Sequence, residues 1–253
     1  MQRKEIIEAG KLVLDAGAAP RRTDGPRSIV CEHADSVVPI AQYMVREMKT
    51  NPFTIEGRKI AAANSADPDE WLEQWRRQPW YGRIGGPPDY YGIAAGQKAA
   101  AYALWTERVA PGRPWDHKRV LKEKFPTELE RGWHKYRDYE YFYDIWSNIH
   151  YGYVGVALGF SALEMINGAG LAQYLHNRWN AQPQHDNPEL GPWPASADDI
   201  QDHRSIRLGA ELLRNAPPHA LTVEKLLQLI DSAPLPWGTH GRQAKRAHRC
   251  AAK

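Results

Sequence analysis

Cysteine is nearly absent from this 253-residue chain: Cys31 and Cys250 stand near opposite ends, with no CxxC spacing. That argues against a disulfide scaffold and against a cysteine-based zinc site. Long apolar runs are missing too, and none reaches the roughly 18 residues that a transmembrane helix needs. The start, Met1-Gln2-Arg3-Lys4-Glu5, lacks the apolar core of a secretory signal peptide. Export would therefore rely on a route other than general secretion. A strong charge of either sign is also lacking, and the formal net charge of +3 does not by itself imply a nucleic-acid partner. Phenylalanine is scarce, at four, against ten tryptophans and twelve tyrosines. Aromatics with a polar tip suit half-wet grooves for sugars, bases or partners, as well as the rim of a core.

Apolar residues recur mostly at helical spacing, and alternating strands are scarce. The sequence predicts a mainly α fold: a single compact multi-helix domain with long Gly/Pro-rich loops and few or no strands. Residues 1–35 read as an N-terminal arm or carrier-derived segment, with a short helix over 3–17 and a Pro/Gly-punctuated linker over 19–26. Residues 36–235 read as the helical domain. Residues 236–253 read as a basic, mobile tail. Asp35-Ser36 is placed to cap a helix over 38–49, and Asp67-Pro68 starts another. The charged stretch 128–139 reads as helical or frayed. The loop over 80–89 has the Gly and Arg of an anion nest but not the spacing of a phosphate-binding motif, so it reads as structural.

The chain is organised around residues 139–160. Ile145, Ile149, Val156 and Phe160 form an apolar stripe, while Asp144, Asn148, Tyr151 or Gly152, Gly155 and Gly159 share an adjacent face. Glycine costs about 1 kcal/mol relative to alanine within a helix, so that face implies close approach of another backbone or a ligand. The small residues of Gly168-Ala169-Gly170 are candidates for that partner. Asp144, Asn148 and His150 would sit at the mouth of the contact.

Three polar clusters carry the candidate chemistry: Asp116-His117-Lys118, then Asp144 with Asn148 and His150, then Asp198-Asp199 with Asp202-His203. Asp199, Asp202 and His203 lie at i, i+3 and i+4, a face able to hold a divalent metal. Acids at a helix start also answer the macrodipole, and Asp198 and Asp199 are read that way. His150 titrates in the range of a general acid or base. Lys118 beside a carboxylate would stabilise a developing anion. Nothing in the residues requires a cofactor, a metal on the Asp199/Asp202/His203 face apart.

Four ordered segments resemble one known family. They are Pro114-Trp115-Asp116-His117-Lys118, the run from Tyr143 through Asn148 and His150 to Gly155 with Gly159-Phe160-Ser161, Gly168-Ala169-Gly170-Leu171-Ala172-Gln173, and Asp198-Asp199-Ile200-Gln201-Asp202-His203 with Ile206-Arg207-Leu208-Gly209. Together, over about residues 38–214, they resemble the bacterial polymorphic toxin type 44 family. Ile200 departs from a frequent Pro, and His150 stands where many relatives are expected to carry Asn. The resemblance implies an antibacterial effector delivered into a competitor by a specialised export system, with a carrier or secretion component and a cognate immunity protein as partners. It further implies an all-α ribonuclease acting on target-cell RNA in the cytoplasm. Asp144, Asn148, His150, Lys118 and Asp116 would be its catalytic residues, and Tyr151, Gly152, Tyr153 and Gln173 its substrate contacts. The alternative is a peptidoglycan hydrolase acting in the periplasm, with Asp144 and one of Asp116, Asp199 or Asp202 as a carboxylate pair. A further alternative is a non-enzymatic binding or structural domain whose polar clusters are ion pairs.

Overall fold

The computed structural model describes residues 31, 33–125, 129–184, 186–234, 237–238 and 243–250. The expected helix at 3–17 and linker at 19–26 lie outside them. Among the described residues the chain is mainly helical: α1 (Val37–Thr50), α2 (Ile55–Asn64), α3 (Pro68–Arg76), α4 (Tyr90–Val109), α5 (His117–Lys124), α6 (Asp144–Ala157), α7 (Ala162–Trp179), α8 (Ile200–Asn215) and α9 (Val223–Ser232). None of these helices is long and apolar enough to cross a membrane.

Local chemistry sets most helix starts. Thr54, Asp67, Asp89 and Thr222 each accept a first-turn backbone N–H through the side chain, and Ser161 with Glu164 forms a reciprocal capping box before α7. The expected cap at Asp35-Ser36 works differently. Ser36 makes no side-chain cap; its Oγ accepts the Lys135 N–H at 3.0 Å, and Asp35 takes the Lys135 ammonium at 2.7 Å. These two residues tie α1 to a sheet instead of closing a helix end.

That sheet corrects the reading of 128–139 and of the tail. β1 (Trp133–Tyr136) and β2 (Tyr139–Phe142) pair antiparallel around a two-residue turn in which Arg137 has φ 52°, and β3 (Lys245–Ala247) adds to the free side of β2. The stretch 139–142, read as the start of the central helix, is therefore strand. The expectation of a mobile tail fails for 243–249. Lys245 is 2% exposed. Its Nζ donates to the carbonyls of Ile230, Asp231 and Ala233 at 2.7–3.2 Å, placing a cation on the exposed carbonyls at the end of α9. A lysine buried by carbonyls leaves no hydrophobic periodicity, so pattern reading misses it.

α6 is the axis of the core. Ile145, Trp146, Ile149, Tyr153 and Val154 are all buried, with α1 packed on one side and α8 on another. The Tyr153 hydroxyl donates to the Ala216 carbonyl at 2.8 Å, so the ring is a core strut. On the bare face of α6, Gly152 meets α8, Gly155 meets the Met165 and Trp105 side chains and Gly159 meets Asn64, which corrects the expectation that this face meets the small residues of α7. A methyl on Gly152 would strike the Ile206 carbonyl, and one on Gly209 would strike the Ile149 carbonyl and the Tyr153 amide. Each helix thus lends a glycine to the other's backbone. Gly170 of α7 is bare for a different partner, the Pro194 carbonyl in the loop before α8.

Candidate active site

The close α6–α8 crossing brings the polar starts of these helices toward the start of α5. Asp116 caps α5: its Oδ1 accepts the Lys118 N–H at 3.2 Å and its Oδ2 accepts the Gly112 N–H at 2.9 Å. This fixes the backbone from which Lys118 projects. The Lys118 ammonium lies 2.7 Å from Asp144 Oδ1 and 3.9 Å from Asp202 Oδ2. Side-chain exposures of 39% for Lys118, 20% for Asp144 and 15% for Asp202 leave the cluster partly open to solvent. Burial would lower the lysine's affinity for its proton, but the Asp202 and Asp144 carboxylates outweigh it and raise it. Lys118 is thus a fixed cation between two acids drawn from different helices.

Behind this trio sits Asp198, 3% exposed, in the turn that enters α8. Its Oδ1 accepts the Asp199 N–H at 3.0 Å, while its Oδ2 is buried without a protein partner. Burial first, and then the Asp202 charge, push its carboxyl up to about 8. At neutral pH Asp198 therefore carries a proton. Asn148, one turn along α6 from Asp144, likewise holds a buried Nδ2 with no protein partner. Tyr151 is packed on Trp105 with ring centroids 5.2 Å apart; its phenol is raised to about 12 by burial, and it lies near enough to feel the Asp198 charge.

Asp198 was missed in the sequence because an acid at a helix start has a ready explanation in the macrodipole. Its burial beside a second acid is a tertiary fact. It carries a pH prediction. The free carboxyl ionises near 3.8 and the folded one near 8. Between those values the folded state holds the extra proton, so this contribution is full at low pH and fades as pH rises, by about 1.4 kcal/mol per unit. Asp198→Asn keeps the shape and stays neutral. Its melting temperature relative to the parent should therefore climb steadily between pH 5 and pH 8, whereas a pH-independent difference would contradict a protonated Asp198.

Other expected site residues are placed elsewhere. His150 is 0% exposed, and its Nε2 meets Asn51 Nδ2 at 2.9 Å and His117 Nε2 at 3.3 Å. Tyr43 hydrogen-bonds the other side of His117 at 2.8 Å. Burial drives His150 well below the usual histidine range and His117 down to about 4, so this is a neutral internal network. Tyr153 is the core strut already described, and Gly152 is covered by α8. Gln173 donates to Asn177 Oδ1 at 2.9 Å on α7. The next residue, Tyr174, meets Trp193 edge-on at 6.2 Å, and Trp193 is 63% exposed on the loop leading to Asp198.

The three proposed metal ligands diverge. Asp199 stands at the cap position of α8, and Asp202 turns to Lys118. His203 lines a groove of about 510 Å³ on another face of α8, with Arg204, Arg207 and Trp237. Burial and the two arginines push His203 down to about 4.

Comparison with known proteins agrees with this geography. Residues 104–215 match the family model described as bacterial toxin 44. Over this stretch the chain is similar to the bacterial toxin 44 family. The matched stretch runs from the end of α4 to the end of α8 and contains Lys118, Asp144, Asn148, Asp198 and Asp202, so the whole polar cluster lies within it. The match is narrower than the resemblance over 38–214. No curated protein and no solved structure matches the chain.

Proposed function

We propose that this domain cleaves a glycan of the bacterial cell wall by acid–base catalysis between carboxyl groups. The observation that carries this reading is one lysine held between Asp144 and Asp202, with a protonated Asp198 behind them. Glycoside hydrolysis needs one carboxyl group that gives a proton and another that is an anion, and environments that push two acids apart supply both. The Asp198–Asp202 pair delivers the proton to the leaving glycosidic oxygen as the C1–O bond breaks. Asp144, ion-paired with Lys118, faces C1 as the nucleophile or takes the proton of the attacking water. Asn148 offers an amide to a sugar hydroxyl, and Trp193 with Tyr174 offers a stacking surface.

RNA fits the same site less well. Asp144, Asp202 and Lys118 together leave a net negative charge, which opposes a phosphodiester, and His150 is sealed within the core. A glycan without phosphate meets no such penalty. The site of action is then the periplasm of a target bacterium, reached through a specialised export system, and a cognate immunity protein protects the producer.

Expression by compartment tests the reading. The chain sent to the periplasm behind a cleavable signal should round and lyse cells, and the same chain kept in the cytoplasm should be tolerated. Toxicity only in the cytoplasm, with loss of RNA, would replace the glycan with RNA.

A further inference from the structure

The cluster that the toxin reading leaves unused lies outside residues 104–215. His33 Nδ1 stands 3.2 Å from His248 Nε2 although 215 positions separate them. The chain places Cys31 two residues before His33 and Cys250 two residues after His248. One ligand atom from each of these four residues lies within 4.8 Å of the other three. We propose that Cys31, His33, His248 and Cys250 bind one zinc ion.

The donor set and its spacing both suit that ion. Two thiolates with two imidazoles form a common closed tetrahedral zinc set, and soft sulfur disfavours magnesium or calcium. Tetrahedral zinc with nitrogen at about 2.0–2.1 Å and sulfur at about 2.3 Å puts donor atoms about 3.3–3.8 Å apart. The 3.2 Å between the two imidazole nitrogens is close to that edge length.

The surroundings orient one ligand. His248 Nδ1 donates to Glu140 Oε1 at 2.7 Å, so Nδ1 keeps the proton and Nε2 offers its lone pair. Glu140 is itself held by Arg246 Nε at 2.7 Å. A carboxylate on the far nitrogen of a metal-bound histidine is the usual support for such a ligand. The His248 side chain is only 4% exposed, beside β3, which fits a structural role. Filled by zinc, the site cross-links residues 31–33 to 248–250.

The full chain, purified under reducing conditions without chelator, tests this by elemental analysis and by cobalt substitution. About one zinc per chain is expected, and the cobalt form should show the absorption of a tetrahedral site with thiolate ligands. Cys250→Ser and Cys31→Ser should each lose the thiolate absorption and most of the bound metal. Glu140→Gln should keep the stoichiometry and weaken zinc binding by about 10–100-fold. If a cysteine variant fails to fold, the parent's stoichiometry decides alone. A folded parent that retains no zinc after loading and dialysis overturns the site, as does an intact mass two hydrogens light from a Cys31–Cys250 disulfide.

Discussion

Asp144→Asn should abolish killing while leaving the protein folded. The substitution keeps the shape of the side chain, and Lys118 retains Asp202 at 3.9 Å, so the ammonium is not stranded. What is lost is the anion that must attack or deprotonate. General-base or nucleophilic roles contribute about 10²–10⁴-fold, and turnover on purified cell wall should fall by at least that range. Lys118→Met should also inactivate the site, by a different route. It leaves Asp144 and Asp202 facing each other without a cation, and like charges raise each other's proton affinity. Comparing the two pH profiles separates the roles: Asp144→Asn should be inactive at every pH, while Lys118→Met should keep residual activity whose optimum is displaced upward. An active Asp144→Asn protein would remove that residue from the chemistry.

The largest stability effect is expected at the α6–α8 crossing. Gly152→Ala drives a methyl into the Ile206 carbonyl, a backbone atom that cannot rotate away, so the helices must separate. Overpacking of this kind costs about 1–3 kcal/mol and sometimes more. The gain in helix propensity returns only about 1 kcal/mol. The parting helices also carry Asp144 and Asp202, so activity should fall together with the denaturation midpoint. Gly209→Ala meets the Ile149 carbonyl and the Tyr153 amide from the other side and should act alike. Gly96, in α4, has open space around it and is the control: Gly96→Ala should be neutral or stabilising. Equal melting temperatures for Gly152→Ala and the parent would contradict the tight crossing.

These two expectations mark what the sequence made legible. Glycines with an acid and an amide at helical spacing announced a close backbone approach beside a polar site, and the α6–α8 crossing has that form. The partner of that face was not legible, because α7 and α8 both offer glycines and only packing decides between them. Asp144 could be picked out because it is an acid on an otherwise apolar helix, and Lys118 and Asp202 because each stands in a short polar cluster, Asp116-His117-Lys118 and Asp199 with Asp202. Asp198 could not, since its burial depends on the turn before α8.

His150 shows the opposite error. A histidine beside a candidate acid suggests catalysis, but it lies on the side of α6 that faces Asn51 and His117, where hydrogen bonds make it a neutral core group. The small sheet escaped because its strands are only three or four residues long and rich in charge. Its lysines are buried by carbonyl and carboxylate partners, which hydrophobic periodicity does not register. The cysteines were set aside for lacking a CxxC pair. A Cys-x-His and a His-x-Cys at opposite ends of the chain make a ligand set only once the fold has closed.

Digestion of purified peptidoglycan by the refolded chain, followed by chromatography of the soluble fragments, tests the central claim most directly. The carboxyl-pair account predicts that the parent releases fragments with newly formed reducing sugar ends. It also predicts that activity declines above about pH 8, as Asp198 loses its proton, and that Asp144→Asn releases nothing. Intact cell wall alongside degraded RNA, or equal release by the parent and Asp144→Asn, would contradict it.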